Sequence, residues 1–276
     1  EATFNAGVIG TSFNGIPLFA ADNSIYTHDV SGTDDTASKN AGYGITALDA
    51  VTTGDNNVAV GYAALTALTT GTENVAIGHE ALRLVTTASS NVAIGNEAME
   101  NNVAANNVAV GTKSMRANTT GTRNLAIGTE AYDASDTEDD NIAIGYQAMT
   151  TNTAGGTYNI AIGNYALDAH TSGDDNTAVG YISLSANTTG SNNTAVGSWS
   201  LTANTTGVSN TAVGTDSMDS NTDGSYNTAV GHDALQANTS SNRNIAVGHT
   251  ALYSNTAADN IGIGQQAGYS NTTGTR

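Results

Sequence analysis

The sequence of this 276-residue chain predicts an all-β fold, a parallel β-solenoid (β-roll) of about 14 coils. Three observations carry that prediction. A motif glycine recurs at Gly44, Gly61, Gly78, Gly95, Gly111, Gly128, Gly145, Gly163, Gly180, Gly197, Gly214, Gly231, Gly248 and Gly264, in steps of 17 residues with single slips to 16 or 18. Such a fixed period is the signature of a repeat architecture. From Gly61 to Gly248 each glycine closes a short Asn-x-Ala-Val/Ile-Gly segment, with NAGYG at Gly44 and NIGIG at Gly264, and turn-forming residues, often Asn-Thr-Thr-Gly, end most units. Helix is excluded, because two such breaks would interrupt every unit.

Residues 1–39 do not keep the period. The stretch FNGIPLFAADNSIYTHDV (13–30) has strand character and contains Pro17, the only proline. Residues 1–39 are expected to form an N-terminal cap or connector, with a separate attachment site as the other reading. A solenoid needs a cap because its terminal coil exposes unpaired backbone. Residues 40–276 form the solenoid.

Seventeen residues suit a coil of two short strands and two turns. Within Asn193-Thr194-Ala195-Val196-Gly197, alternation puts Thr194 and Val196 on one face and Ala195 on the other. The uniformity of both positions along the chain predicts that both faces pack. The Val/Ile ladder is expected to fill a core, and the alanine ladder to admit a second backbone layer. That layer is either the opposite wall of the coil or a neighbouring chain. Each unit adds one Leu or Met, such as Leu65, Leu82, Met99, Met115, Leu184 and Leu201. Asn57, Asn74, Asn176, Asn193 and Asn210 are expected to stack as an amide ladder at one corner. At ~4.8 Å per coil, all the units together would make a rod about 65 Å long.

So few apolar side chains make a thin core. At roughly 25 cal/mol per Å² of buried apolar area, it competes narrowly with the cost of ordering each residue, ~1.5 kcal/mol. Association along the length is the remedy, so an oligomer is expected in place of an isolated solenoid. The formal charge of -18 repels phosphate backbones, which argues against nucleic acid as a partner. No run of 18 apolar residues is present, so no membrane insertion is expected. The absence of cysteine excludes disulfides and thiolate chemistry.

The runs NVAIGNEAM (91–99), NIAIGYQAM (141–149) and NTAVGHDAL (227–235) resemble the Ala-Ile-Gly repeats of trimeric adhesin heads. The NTAVG…AL..NTTG form is similar to repeats of phage tail fibres and bacterial surface proteins. The resemblance spans residues 40–276, although the 17-residue step is longer than the usual adhesin-head repeat. It implies a trimeric β-roll in an extracellular fibre, on a virion tail or a bacterial cell surface, with a surface glycan or protein as receptor. In many such fibres a removable C-terminal chaperone follows the repeats. This chain ends within a unit, at NTTGTR, as an excised part of a longer fibre would. The resemblance brings no catalytic residue with it.

Chemistry would have to break the period. The irregular unit Asp133-Ala134-Ser135-Asp136-Thr137-Glu138-Asp139-Asp140 offers carboxylates for Ca²⁺, or serves as a solvated acidic loop. Asp174-Asp175 is a weaker candidate of the same kind. His79, His232 and His249 each follow a motif glycine, in separate coils, and read as members of a variable exposed ladder, not a metal triad. Trp199 stands alone at a variable position, where it either stacks on a sugar or covers Leu201. Asn118, Asn187 and Asn204 match glycosylation acceptors but are natural turn formers. Glycosidase chemistry needs a marked carboxylate pair, and none is marked.

The expected function is a structural and adhesive segment of an extracellular fibre, without enzymatic activity or cofactor. The main alternative is an ice-binding solenoid, suggested by Thr177, Thr194, Thr211 and Thr228 at one coil position. A polysaccharide-degrading fibre enzyme is the third reading.

Overall fold

A computed structural model gives the structure of the chain. It describes the backbone of residues 11–13, 16–21 and 24–26, and the full residues 36–134, 136–151 and 155–274. The remainder of the 1–39 segment lies outside the described residues. The chain comprises two compact units, residues 1–137 and 138–276. Among the described residues there is no helix.

The first unit opens with β1 (Thr11–Phe13), β2 (Ile16–Ala21) and β3 (Ser24–Tyr26), paired antiparallel in that order. β3 then runs parallel to β4 (Ala41–Tyr43), the first strand of the periodic region. The unit continues with β5 (Val58–Val60), β6 (Val75–Ile77), β7 (Val92–Ile94), β8 (Val108–Val110) and β9 (Leu125–Ile127). The second unit contains β10 (Ile142–Ile144), β11 (Ile160–Ile162), β12 (Thr177–Val179), β13 (Thr194–Val196), β14 (Thr211–Val213), β15 (Thr228–Val230), β16 (Ile245–Val247) and β17 (Ile261–Ile263). In each unit consecutive strands of the periodic region pair in parallel, and equivalent residues sit side by side. Ala178, Ala195, Ala212 and Ala229 form one such row. This is a parallel β-solenoid with a 17-residue repeat. The 16- and 18-residue steps leave the register intact, with Val92 opposite Val108 and Ile142 opposite Ile160.

Each coil has one three-residue strand, not the two that its length suggested. The second half of the coil is a turn that alternates in hand. After Gly197, Trp199 (φ 60°) and Leu201 (φ 52°) are left-handed, and so are their counterparts in neighbouring coils. A left-handed L-residue costs roughly 1–2 kcal/mol. The geometry is held by bonds to both neighbouring coils. Trp199 N–H donates to Tyr181 O (3.0 Å) in the preceding coil, and Leu201 N–H donates to Ser217 O (2.9 Å) in the following one. The coil therefore stays hydrogen-bonded where no strand is formed.

The motif glycine answers a steric demand at the same bend. Gly197 has φ 136°, and a Cβ placed on it would lie 2.5 Å from Gly214 O in the next coil. No side chain fits there.

The expected asparagine ladder is present and buried in both units. In the first, the backbone N–H of Asn57, Asn74, Asn91, Asn107 and Asn124 each donates to Oδ1 of the preceding ladder Asn, at 2.8–3.0 Å. In the second the same bond links Asn141 through Asn260 at 2.9–3.0 Å. The amide nitrogen reaches across the coil to a turn carbonyl, as Asn193 Nδ2 does to Gly207 O at 2.8 Å. A second ladder occupies the Asn-Thr-Thr-Gly corner. Asn204, Asn221 and Asn238 each donate Nδ2 to the Oδ1 seventeen residues earlier at 2.9 Å. In the first unit this corner is apolar at Val51, Leu68 and Val85 before it becomes Asn102 and Asn118, all of them buried.

The Val/Ile ladder does not fill a core as expected, and the alanine ladder takes the first of the two places open to it, inside its own coil. The alanines are inside, with Ala59, Ala76, Ala126, Ala195 and Ala229 all at 0% exposure. The Val/Ile ladder looks outward, and Val60, Ile77, Ile94 and Ile127 are 37–38% exposed. The reason is volume. The two buried corner columns and, in most coils, one Leu or Met already occupy the interior, so the inward strand position has room only for a methyl group. The alanine layer faces the opposite wall of its own coil.

Three substitutions in one coil test this frame. Gly197→Ala is expected to cost more than about 2 kcal/mol, because both its φ and its Cβ are disallowed. Asn193→Ala orphans Asn210 N–H and removes one of the two donors to Gly207 O, the other being Asn204 Nδ2, and should cost about 1–3 kcal/mol. Ser198→Ala, at a variable half-buried position, should stay within about 0.5 kcal/mol. Urea unfolding of the three variants beside the parent measures all of these.

Candidate functional site

Two surfaces carry the side chains that could meet a partner. One is the outward face of the strands, and the other is the flank formed by the two residues after each motif glycine. The strand face exposes two positions per coil, since the middle residue points inward. In the first unit it is aliphatic throughout β5 to β9. In the second it includes the row Thr177, Thr194, Thr211 and Thr228, in register and half-buried, beside Val179, Val196, Val213 and Val230. The threonines of the sequence reading are therefore adjacent and point outward, as a threonine–valine double row.

On the flank, residues 17 apart in sequence become neighbours. Trp199 is not alone: it ends a run of rings through Tyr146, Tyr165, Tyr181 and Trp199. Their centroids are 5.4, 6.3 and 5.6 Å apart, and each pair meets edge to face. The rings alternate between the first and second positions after the glycine, which hid the run from a position-by-position reading. Tyr146, Tyr181 and Trp199 are 41–46% exposed. Trp199 therefore projects into solvent instead of covering buried Leu201.

The histidines separate into different environments. His79 stacks on Tyr62 at 5.3 Å in the first unit. In the second unit His232 and His249 face each other, with ring centroids 5.5 Å apart at 30°. Asp233 Oδ2 lies 2.7 Å from His232 Nδ1. One ligand atom from each of His232, Asp233 and His249 falls within 4.8 Å of the other two. The sequence reading placed these histidines in separate coils and saw no cluster. Adjacent coils bring two of them together.

The acidic stretch is employed structurally where it is described; Ser135 lies outside the described residues. In the first unit Asp133 pairs with Arg116 at 3.2 Å, and Thr119 Oγ1 donates to Asp136. Burial pushes the Asp133 carboxyl above the usual range, and Arg116 opposes the shift. In the second unit buried Glu138 accepts from Gly155 N–H at 3.0 Å. Asp174 likewise accepts Thr157 N–H at 2.8 Å and so ties one coil to the next. Asn118, Asn187 and Asn204 are fully buried, with amides donating to ladder partners, so the folded chain cannot accept glycans there.

One titratable group is built into the interior. His170 takes the corner-ladder place that Asn187 and Asn204 hold in the next coils. It is fully buried, with Nδ1 3.3 Å from Asn187 Nδ2. Burial lowers the His170 pKa from 6.5 to about 4, against opposing contributions from the Gly173 backbone, Asp174 and Glu138.

Among the described residues no helix is long and apolar enough to cross a membrane. No protein-family model, no curated protein and no solved structure matches the chain.

His170 predicts an acid-sensitive second unit. The folded state holds the imidazole neutral, whereas the unfolded chain takes up a proton below about pH 6.5. Stability is therefore complete above that pH and falls as pH drops toward 4, by on the order of 3 kcal/mol. His170→Asn restores the amide ladder and removes this contribution. Thermal unfolding at pH 7.5 and pH 4.5 should show a smaller drop for the variant than for the parent.

Proposed function

We propose that the chain is a structural segment of an extracellular fibre, in which three copies associate through the outward strand faces. The observation that carries this reading is the aliphatic stripe of each unit. It includes Val60, Ile77, Ile94 and Ile127 in the first, and Ile162 and Val230 in the second, all 37–38% exposed. Extended apolar surface of this kind marks an interaction site. The chemistry of the stripe favours a second copy of the chain as the occupant. It repeats with the coil period, so an aligned copy meets it coil by coil with the same side chains. It carries no charge, although the chain as a whole has a net charge of -18. Association also covers side chains that the thin core of a single coil leaves half in water.

In such a fibre, repetition supplies stiffness, and the variable flank supplies contacts. The ring run from Tyr146 to Trp199 gives the flank a surface suited to a cell-surface glycan, since aromatic faces and edges cover the apolar side of a sugar. The mechanism is mechanical and adhesive; no bond is made or broken.

A second reading is ice binding by an isolated solenoid. It draws on the registered row of Thr177, Thr194, Thr211 and Thr228, which presents hydroxyls from equivalent positions of a parallel sheet. The same face is aliphatic elsewhere, which favours a protein partner.

Light scattering coupled to size-exclusion chromatography of the full chain is expected to give the mass of three chains. Ile94→Glu with Ile127→Glu should shift it toward one chain, with unchanged circular dichroism, because both side chains point away from the coil interior. A monomeric parent would refute the assembly, and thermal hysteresis from that monomer would establish the ice reading in its place.

A further inference from the structure

We propose that His232, His249 and Asp233 form a surface site for a divalent transition-metal ion of the zinc or nickel type. The solenoid itself creates this site, since the two histidines are 17 residues apart and belong to consecutive coils. Each follows a motif glycine, Gly231 or Gly248, so both imidazoles leave the backbone at equivalent points.

The backbone beneath the site is fixed. Thr250 N–H, next to His249, donates to the His232 carbonyl at 2.9 Å. Asp233 N–H donates to Thr215 O at 3.1 Å, with the Asp233 backbone left-handed at φ 56°. Asp233 thereby turns its carboxylate to His232 Nδ1, 2.7 Å away. The candidate ligand atoms lie within 4.8 Å of one another. Three ligands around tetrahedral zinc, each ~2.0–2.1 Å from the ion, stand about 3.3 Å apart. Small side-chain rotations of His232 and His249, both exposed, close that difference.

The donor set selects the ion. Two imidazoles with one carboxylate suit zinc, nickel or copper, whereas calcium and magnesium take sites made of oxygen. The ion would take a place between His232 and Asp233, and the carboxylate offsets part of its charge. Water completes the coordination, because the site is open on the solvent side. The acidic field of the chain also raises the local cation concentration. His79 lacks this setting, since its ring neighbour is Tyr62 and not a second imidazole.

The test is zinc titration of the full, tag-free chain by isothermal calorimetry, with excess magnesium present to occupy weak acidic sites. The parent should bind roughly one zinc per chain. His232→Thr with His249→Thr should weaken binding about tenfold or more. The fold tolerates threonine there, since Thr112, Thr129 and Thr215 hold the equivalent place in other coils. His79→Thr should leave the titration unchanged. Zinc binding that survives the double substitution unaltered, or an absence of saturable binding by the parent, overturns the proposal.

Discussion

The buried peptide groups of a short coil must find hydrogen-bond partners, most of them in the coil above or below, and this requirement governs the rest of the structure. A three-residue strand satisfies only part of a 17-residue repeat. The corners that remain are buried, and a buried N–H or C=O without a partner is costly. Asparagine meets the need with one side chain. Oδ1 of Asn193 accepts the N–H of Asn210, while its Nδ2 donates to the Gly207 carbonyl. Aspartate has no donor to offer, and a buried column of carboxylates would repel itself. The amide ladder is therefore the polar counterpart of a hydrophobic core.

Several features follow from that choice. The buried corners leave little interior volume, so most coils hold one Leu or Met and one inward alanine, as Leu201 and Ala195 show. Close stacking requires glycine at Gly197, where the next coil's carbonyl fills the space of a side chain. The alternating turn places bulky residues such as Leu201 at positive φ, at a cost that inter-coil hydrogen bonds offset. With the interior occupied, larger β-branched side chains are directed outward. A protein that packs its interior with amides leaves its apolar surface available for other chains, and this links the local hydrogen bonding to the proposed fibre.

The flank is free of these demands. The two residues after each motif glycine contribute little to the interior, so their identity varies between coils. Stacking nevertheless makes neighbours of residues a full period apart. A row of rings and a pair of imidazoles thus arise on a scaffold whose sequence shows each as an isolated substitution. His170 is the opposite case, an ionisable group placed in a buried ladder where amides serve elsewhere.

The sequence by itself determined the repeat, its length, the parallel stacking and the asparagine column, because period and turn chemistry act locally and recur in every unit. The inward or outward sense of the strand was not legible. Alternation shows that Ala195 and Val196 lie on opposite faces but not which face is enclosed, and only the volume left by the closed coil decides it. Nor could one linear pass recover the corner ladder of Asn187 and Asn204, which share their signal with ordinary turns. The Tyr146–Trp199 run and the His232–His249 pair were hidden for a related reason. Their members touch only when consecutive coils lie one strand spacing apart, a distance set by backbone hydrogen bonds between coils.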